Sequence, residues 1–174
     1  MFFEKAIMFT VGILTISDKG SRGERVDKSG EEMKNMVSAL DSRVVKYDIV
    51  PDEVDIIAKR LIEWADSGAV DVILTTGGTG LSSRDVTPEA TLSVIQKVVP
   101  GIAEAMRVET LKNTSFAMLS RAVAGVRGKC LIINLPGSPK AVRECLEVVL
   151  PVIPHAVEII KGVVTEHAAQ GSKD

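Results

Sequence analysis

The 174-residue chain has few aromatic side chains: one Trp, one Tyr and four Phe. Because 45% of its residues are nevertheless hydrophobic, its core must consist mainly of aliphatic side chains, and this bias favours buried parallel strands. No apolar run approaches the roughly 20 residues that a membrane-spanning helix needs, and the first eight residues do not resemble a secretory signal. We therefore expect a cytoplasmic protein with a single domain, since the chain is short for two.

The chain also lacks an excess of positive charge and any metal-binding spacing. Its formal net charge is −2, and without a basic cluster we expect no binding to nucleic acid. Cys130 and Cys145 have no CxxC spacing, which disfavours a disulfide framework or a zinc site and predicts two buried thiols. His155 and His167 lie far from the polar loops and are expected at the surface. A Ser-His-Asp triad therefore has no obvious components.

Strand-like and helix-like segments alternate along the chain. This alternation is typical of a mostly parallel sheet with helices on both faces. Because the residues after Gly162 are polar, we expect one domain over residues 1–162 and a flexible tail over residues 163–174. The predicted strands span residues 8–16, 44–50, 70–75, 122–126 and 129–135, the last two joined by a hairpin or a tight turn at Arg127-Gly128.

Three helix starts carry capping signals. Ser29, with Glu32 three residues later, predicts a capping box. Thr87 is expected to cap a helix over residues 88–97 that begins with proline. Ser138 is expected to cap the next proline-initiated helix in the same way.

Three polar loops follow predicted strands, and parallel strands place such loops at one edge of their sheet. The loops span residues 17–28, 76–87 and 136–140, and the loop after the second strand adds Asp52. Their glycines let backbone amides approach phosphate oxygens, and their Arg and Lys side chains offset the charge of a phosphate. Hydroxyls, carboxylates and cations together favour phosphoryl or nucleotidyl transfer with Mg²⁺.

Each of these features has a simpler alternative. Residues 77–80 (GGTG) match neither a Walker loop nor a dinucleotide-binding GxGxxG motif, and a tight turn with positive φ explains them about equally well. Asp85 could be a loop carboxylate that pairs with Arg84 or a backbone amide. Asp52 could be a helix N-cap, since it follows Pro51 and precedes a helical period.

Six motifs are distributed along the chain: ISD at 16–18, PDE at 51–53, TTGGTG at 75–80, RDVTPEA at 84–90, LSR at 119–121 and LPGSPK at 135–140. Together they resemble the molybdenum-cofactor biosynthesis family of MogA and MoaB type, whose domain also occurs in gephyrin. The resemblance implies a three-layer α/β/α sandwich, usually trimeric, that binds molybdopterin. Catalytic members transfer AMP from Mg-ATP to the terminal phosphate of molybdopterin and release pyrophosphate.

The resemblance also implies roles for individual residues. Asp52 and Asp85 match the acidic pair needed for adenylylation and are the candidate Mg²⁺ ligands, while Arg84 or Lys140 would stabilise the transition state. The matching nucleotide and phosphate positions are Thr76, Gly77, Gly78, Thr79 and Gly80. The other substrate-side positions, toward the pterin or a phosphate, are Ser17, Ser120, Pro136, Gly137, Ser138 and Lys140.

Two alternatives remain at this point. The chain could be a MoaB-like protein that binds molybdopterin without adenylating it, or, more distantly, an enzyme for another phosphorylated small ligand. Fused relatives carry a separate molybdenum-insertion domain that this sequence does not contain, so we expect a partner protein to insert the metal.

Overall fold

A computed structural model describes residues 8–163. The predicted tail beyond Val163 and His167 lie outside these residues, and the domain boundary after residue 162 stays a prediction. The strands are β1 (Phe9–Ile16), β2 (Ser42–Val50), β3 (Val72–Thr76), β4 (Lys97–Val98), β5 (Ala124–Arg127) and β6 (Cys130–Leu135). The α-helices are α1 (Asp18–Ser21), α2 (Lys28–Val37), α3 (Val54–Asp66), α4 (Thr87–Val94), α5 (Pro100–Thr110), α6 (Pro139–Val149) and α7 (Ile153–Lys161). Short 3₁₀ helices span Ser115–Leu119 and Leu150–Val152.

The six strands form one sheet in the order β2-β1-β3-β6-β5-β4. The first four are parallel, and β5 and β4 continue the sheet antiparallel. The mostly parallel sheet and the hairpin between β5 and β6 are therefore confirmed. The parallel part gives four strands a common carboxyl edge, which is where ligands bind in such sheets.

Strand β4 replaces the predicted end of a helix. The expectation of a helix over residues 88–97 is wrong at its C-terminus, because α4 ends at Val94 and Ile95 is already extended. The main chain that follows bonds to β5: Gln96 N donates to Val126 O at 2.8 Å, and Val99 N donates to Ala124 O at 2.8 Å. These sheet hydrogen bonds outweigh the local helical preference.

Two of the three predicted caps are also wrong. Helix α2 is capped by Asp27, whose Oδ1 accepts from Gly30 N at 2.9 Å, while the Ser29 hydroxyl donates to the distant Gly137 O. Thr87 is the first residue of α4 and not its cap. Ser138 does cap α6, as predicted.

Helices pack on both faces of the sheet and enclose two hydrophobic clusters. One cluster joins β1, β3 and β6 to α2, α5, α6 and α7 through side chains such as Ile13, Ile133 and Leu146. The other joins the opposite face to α3 and α4 through side chains such as Ile73 and Trp64. This arrangement confirms the predicted three-layer α/β/α sandwich. None of the helices within residues 8–163 is long and apolar enough to cross a membrane.

The predictions for cysteine and histidine hold where the structure describes them. Cys130 and Cys145 are free and buried, and burial raises the pKa of the Cys130 thiol to about 12 and that of Cys145 to about 11. His155 is exposed and lies beside Glu158. Both thiols are therefore protonated and unreactive at neutral pH.

Candidate active site

The carboxyl ends of the parallel strands open into a polar cleft of about 840 Å³. The cleft receives main chain and side chains from the loops after β1, β2, β3 and β6, which were predicted to share one edge of the sheet. Of the predicted site residues, those that line it are Ser17, Asp52, Thr76, Gly77, Gly78, Asp85, Gly137 and Ser138.

A second cavity, of about 490 Å³, adjoins the cleft and is mostly apolar. It lies between α5, α6 and the 3₁₀ helix Ser115–Leu119, and its apolar side chains include Met106 and Phe116. The predicted residues Thr79, Gly80, Ser120 and Pro136 line this apolar cavity. Gly78, Asp85 and Gly137 line both the apolar cavity and the polar cleft and so form a shared wall.

Two predicted cations lie outside both cavities. The guanidinium of Arg84, whose side chain is 52% exposed, bonds to Asp18 Oδ1 at 2.9 Å and to Glu53 Oε1 at 2.8 Å. The Lys140 side chain is 85% exposed, with Glu144 Oε1 3.9 Å from its Nζ. Most of the predicted site residues therefore line one of the two cavities, whereas Arg84 and Lys140 lie outside them.

The glycine loop is held tightly against the ends of its neighbouring strands. Gly77 has φ +95°, and a Cβ there would overlap the carbonyl oxygen of Ile16. Thr76 Oγ1 donates to Pro136 O at 2.6 Å, and the buried Thr87 Oγ1 donates to Gly77 O at 2.8 Å. The loop thus contains the positive-φ turn that we considered as an alternative, and the same turn forms the base of the cleft.

Backbone amides of this loop point to the kind of ligand that it can bind. Within residues 8–163, the N–H groups of Gly78, Thr79 and Gly80 donate to no main-chain or side-chain acceptor. Consecutive free N–H groups in a turn form a concave anion site. The loop is therefore suited to phosphate oxygens at the shared wall.

Asp52 is fixed by a reciprocal pair of hydrogen bonds with Asp18. Asp52 Oδ2 accepts from Asp18 N at 2.9 Å, and Asp52 N donates to Asp18 Oδ1 at 3.1 Å. The N-cap alternative for Asp52 is wrong, because Glu53 occupies that position. Burial raises the pKa of Asp52, and the bond from Asp18 N opposes part of that rise.

Asp85 both shapes its loop and reaches the cavities. Its Oδ2 accepts from Ser82 N at 2.8 Å, as expected for a loop carboxylate bonded to a backbone amide. Its main chain is held by Arg121, which donates to Asp85 O at 2.6 Å and to Gly80 O at 2.8 Å. Arg121 belongs to the LSR motif, but its sequence context predicted no role for it.

The segment from the end of β1 to the start of α2 supplies further polar residues of the cleft to which sequence reasoning gave no ligand role. Thr15, Arg25, Asp27, Lys28 and Ser29 all line the polar cleft. The available signal was the polar composition of residues 17–28, which predicted a ligand loop but could not say which side chains face the ligand.

The carboxylates of the cleft can be compared with what a metal requires. Within residues 8–163, no group of three or more His, Cys, Asp or Glu side chains is arranged to hold a metal ion. Three carboxylates line the polar cleft, and because Asp27 is bonded to Thr15, Tyr47 and Gly30, the candidate pair is Asp52 and Asp85. A pair suits Mg²⁺, which usually binds through one or two carboxylates together with water and substrate phosphates.

Comparisons with known proteins agree with this geometry. Residues 12–155 match the model of the family described as "Probable molybdopterin binding domain". Molybdopterin adenylyltransferase of Helicobacter pylori strain J99 is 49% identical over 154 residues, which cover 87% of this chain and 88% of that protein. Gephyrin of Dictyostelium discoideum is 44% identical over 160 residues, covering 86% of this chain and 22% of gephyrin.

Solved structures give the same result. The crystal structure of the molybdopterin biosynthesis enzyme MoaB from Thermus thermophilus superposes with a TM-score of 0.84 at 54% identity, covering 88% of this chain and 97% of that one. Fold and site thus define an α/β/α protein whose candidate ligand site lies at the carboxyl edge of a parallel sheet. The chain belongs to the molybdopterin-binding domain family, of MogA and MoaB type.

Proposed function

We propose that the chain is a molybdopterin adenylyltransferase, which transfers AMP from Mg-ATP to the terminal phosphate of molybdopterin and releases pyrophosphate. The observation that carries this proposal is the pair of adjoining cavities, one apolar and one polar with Asp52 and Asp85 in its lining, which share a wall of Gly78, Asp85 and Gly137. The proposal is also supported by the 49% identical relative, which is named for this activity.

Each cavity suits one substrate. The apolar cavity suits the flat ring system of a pterin, because stacking and burial contribute most of the affinity of such ligands. The polar cleft suits the phosphates of ATP. The free N–H groups at residues 78–80 lie where the cavities adjoin, so the terminal phosphate of molybdopterin and the α-phosphate of ATP would meet there.

The reaction needs little acid-base assistance. A phosphate monoester has a second pKa near 6 and is largely dianionic at neutral pH, so its oxygen can attack without a histidine base. That oxygen forms a bond to the α-phosphorus, the bond from phosphorus to the α,β-bridging oxygen breaks, and its electron pair leaves with pyrophosphate. Positioning and charge stabilisation are then the main tasks of the protein.

Asp52 and Asp85 are the residues that would hold Mg²⁺ in the cleft. When bound, the ion would supply positive charge to the phosphate oxygens. The hydrogen bonds from Asp18 N to Asp52 and from Ser82 N to Asp85 orient the two carboxylates before the substrate binds. Preorganised charge of this kind is worth more than charge that must reorient during the reaction.

The test measures both products together. Purified protein is incubated with molybdopterin and Mg-ATP, and adenylated molybdopterin and pyrophosphate are quantified beside an Asp85→Ala variant. We expect equal amounts of the two products from the wild type, and a loss of about 100-fold or more in the variant. Binding of molybdopterin without either product would instead identify a non-catalytic, MoaB-like binding protein.

We also propose that the chain forms a homotrimer in the cytoplasm and passes its product to a separate molybdenum-insertion protein, as the family resemblance implies. Support for self-association comes from exposed apolar side chains beside the apolar cavity, at Leu81, Phe116, Met118 and Leu119. Light scattering should give a mass three times that of one chain, and a monomeric mass would contradict the assembly.

A further inference from the structure

Two cations line the polar cleft without an ionic partner. Arg25 and Lys28 both belong to its lining. Within residues 8–163, neither side chain forms a salt bridge with a carboxylate. Their charges are therefore available to a bound anion.

Three other cations near the cleft are already paired with carboxylates. Arg84 is shared between Asp18 and Glu53, and Arg22 forms a 2.8 Å bond with Glu24. Arg121 bonds to Glu89 and to loop carbonyls. Within residues 8–163, Arg25 and Lys28 are therefore the cations that both line the polar cleft and lack an ionic partner, whereas Arg84 and Lys140, which the sequence suggested, lie outside it.

The carboxylate that lies between these two cations in sequence is turned to other partners. Asp27 Oδ2 accepts from the Thr15 hydroxyl at 2.6 Å and from the Tyr47 hydroxyl at 2.7 Å, and its Oδ1 accepts from Gly30 N at 2.9 Å. Because Asp27 is bonded to β1, β2 and α2, it fixes the segment that carries Arg25 and Lys28. It does so without forming an ion pair with either of them.

A second contact holds this segment over the cleft. The Ser29 hydroxyl donates to Gly137 O at 2.7 Å, and this bond joins the start of α2 to the loop after β6. Gly137 belongs to the shared wall, whereas Arg25 and Lys28 line the polar cleft alone. The two cations therefore lie on the polar side of the point where the two substrates would meet.

In-line displacement places the leaving group opposite the attacking oxygen. If molybdopterin attacks from the apolar cavity, the departing pyrophosphate must lie on the polar side of the wall. We propose that Arg25 and Lys28 bind the β- and γ-phosphates of ATP and then the departing pyrophosphate. This inference rests on the proposed function. It gives these two residues the role of stabilising the negative charge that develops on the leaving pyrophosphate.

Calorimetric titration with three probes tests the inference: ATP, AMP and inorganic pyrophosphate, each with Mg²⁺. The test protein is Arg25→Ala/Lys28→Ala, and Arg25→Lys/Lys28→Arg preserves the charges. Arg43→Ala/Lys59→Ala is the matched control, because it removes one Arg and one Lys that are exposed and lie away from the cleft. Circular dichroism verifies that each variant is folded.

We expect the Ala/Ala variant to bind ATP and pyrophosphate at least about tenfold more weakly per cation removed, because each lost contact is a charge-assisted hydrogen bond. AMP affinity should change by less than about twofold, and the charge-preserving and control variants should resemble the wild type. Unchanged ATP binding, or an equal loss for AMP and ATP, would overturn the inference and leave the proposed function standing. A wild-type protein that binds no ATP would overturn the proposed function and the inference with it.

Discussion

Replacing Gly77 with alanine should destabilise the protein more than the same change at Gly68. Gly77 has φ +95° and no room for a Cβ beside Ile16 O, whereas Gly68 has φ +72° with open space around it. The unfavourable φ alone costs about 1–2 kcal/mol, and an overlap with backbone adds about 1–3 kcal/mol because strand β1 cannot move freely. We therefore expect a loss of about 1–2 kcal/mol for Gly68→Ala and about 2–5 kcal/mol for Gly77→Ala.

Gly101→Ala is the matched control for this series. Gly101 lies in the first turn of α5 without positive φ, and no atom lies within 4 Å of the position that a Cβ would take there. Alanine at this site should leave the free energy of unfolding unchanged or raise it by up to about 1 kcal/mol. Urea denaturation followed by circular dichroism gives the three values. Equal losses for Gly77→Ala and Gly68→Ala would refute the close contact between the glycine loop and β1.

Two further predictions concern a polar group of the cleft and one of the core. Asp52→Asn should lower the rate of adenylyl transfer by about 100-fold or more. The same change should raise the free energy of unfolding at pH 7 by less than about 1 kcal/mol. It should do so because burial raises the pKa of Asp52 and makes its charge unfavourable in the folded state. This gain in stability should disappear as the pH falls through the raised pKa towards the usual value of 3.8, because the wild-type carboxyl is then protonated and uncharged as well. Urea denaturation across that pH range measures the gain, and a gain that persisted at low pH would contradict the prediction. Asn134→Ala should lower the free energy of unfolding by about 2–4 kcal/mol in the same assay. Asn134 is 0% exposed, and its Nδ2 donates to Thr75 Oγ1 at 3.0 Å and to Thr91 Oγ1 at 2.9 Å. A loss below about 0.5 kcal/mol would contradict a stabilising role for these hydrogen bonds.

Sequence periodicity predicted those elements whose side chains are set by burial. Strands β1, β3 and β6 are mostly apolar and almost entirely buried, which explains why the pattern was informative. The cap at Ser29 was predicted wrongly because capping rules consider acceptors and donors within one turn. The partner that the Ser29 hydroxyl finds, Gly137 O, is 108 residues away in sequence.

The same limit applies to the site. The polar loops at the strand ends were predictable because parallel topology brings them to one edge. Which cations face the cleft was not predictable from the sequence. Arg84 and Arg25 both lie in polar loops, and they are distinguished by the carboxylates that the fold places beside Arg84. The apolar cavity could not be predicted from the sequence either, because α5, α6 and a 3₁₀ helix contribute to it from separate parts of the chain.

Labelled ATP tests the central claim most directly. Purified protein, molybdopterin and Mg²⁺ are mixed with ATP that carries its label on either the α- or the γ-phosphate. If the protein transfers AMP, the α-label appears on molybdopterin and the γ-label appears in pyrophosphate, in equal amounts. Transfer of γ-label to molybdopterin, release of γ-label as inorganic phosphate, or the absence of any transfer while both substrates bind would contradict it.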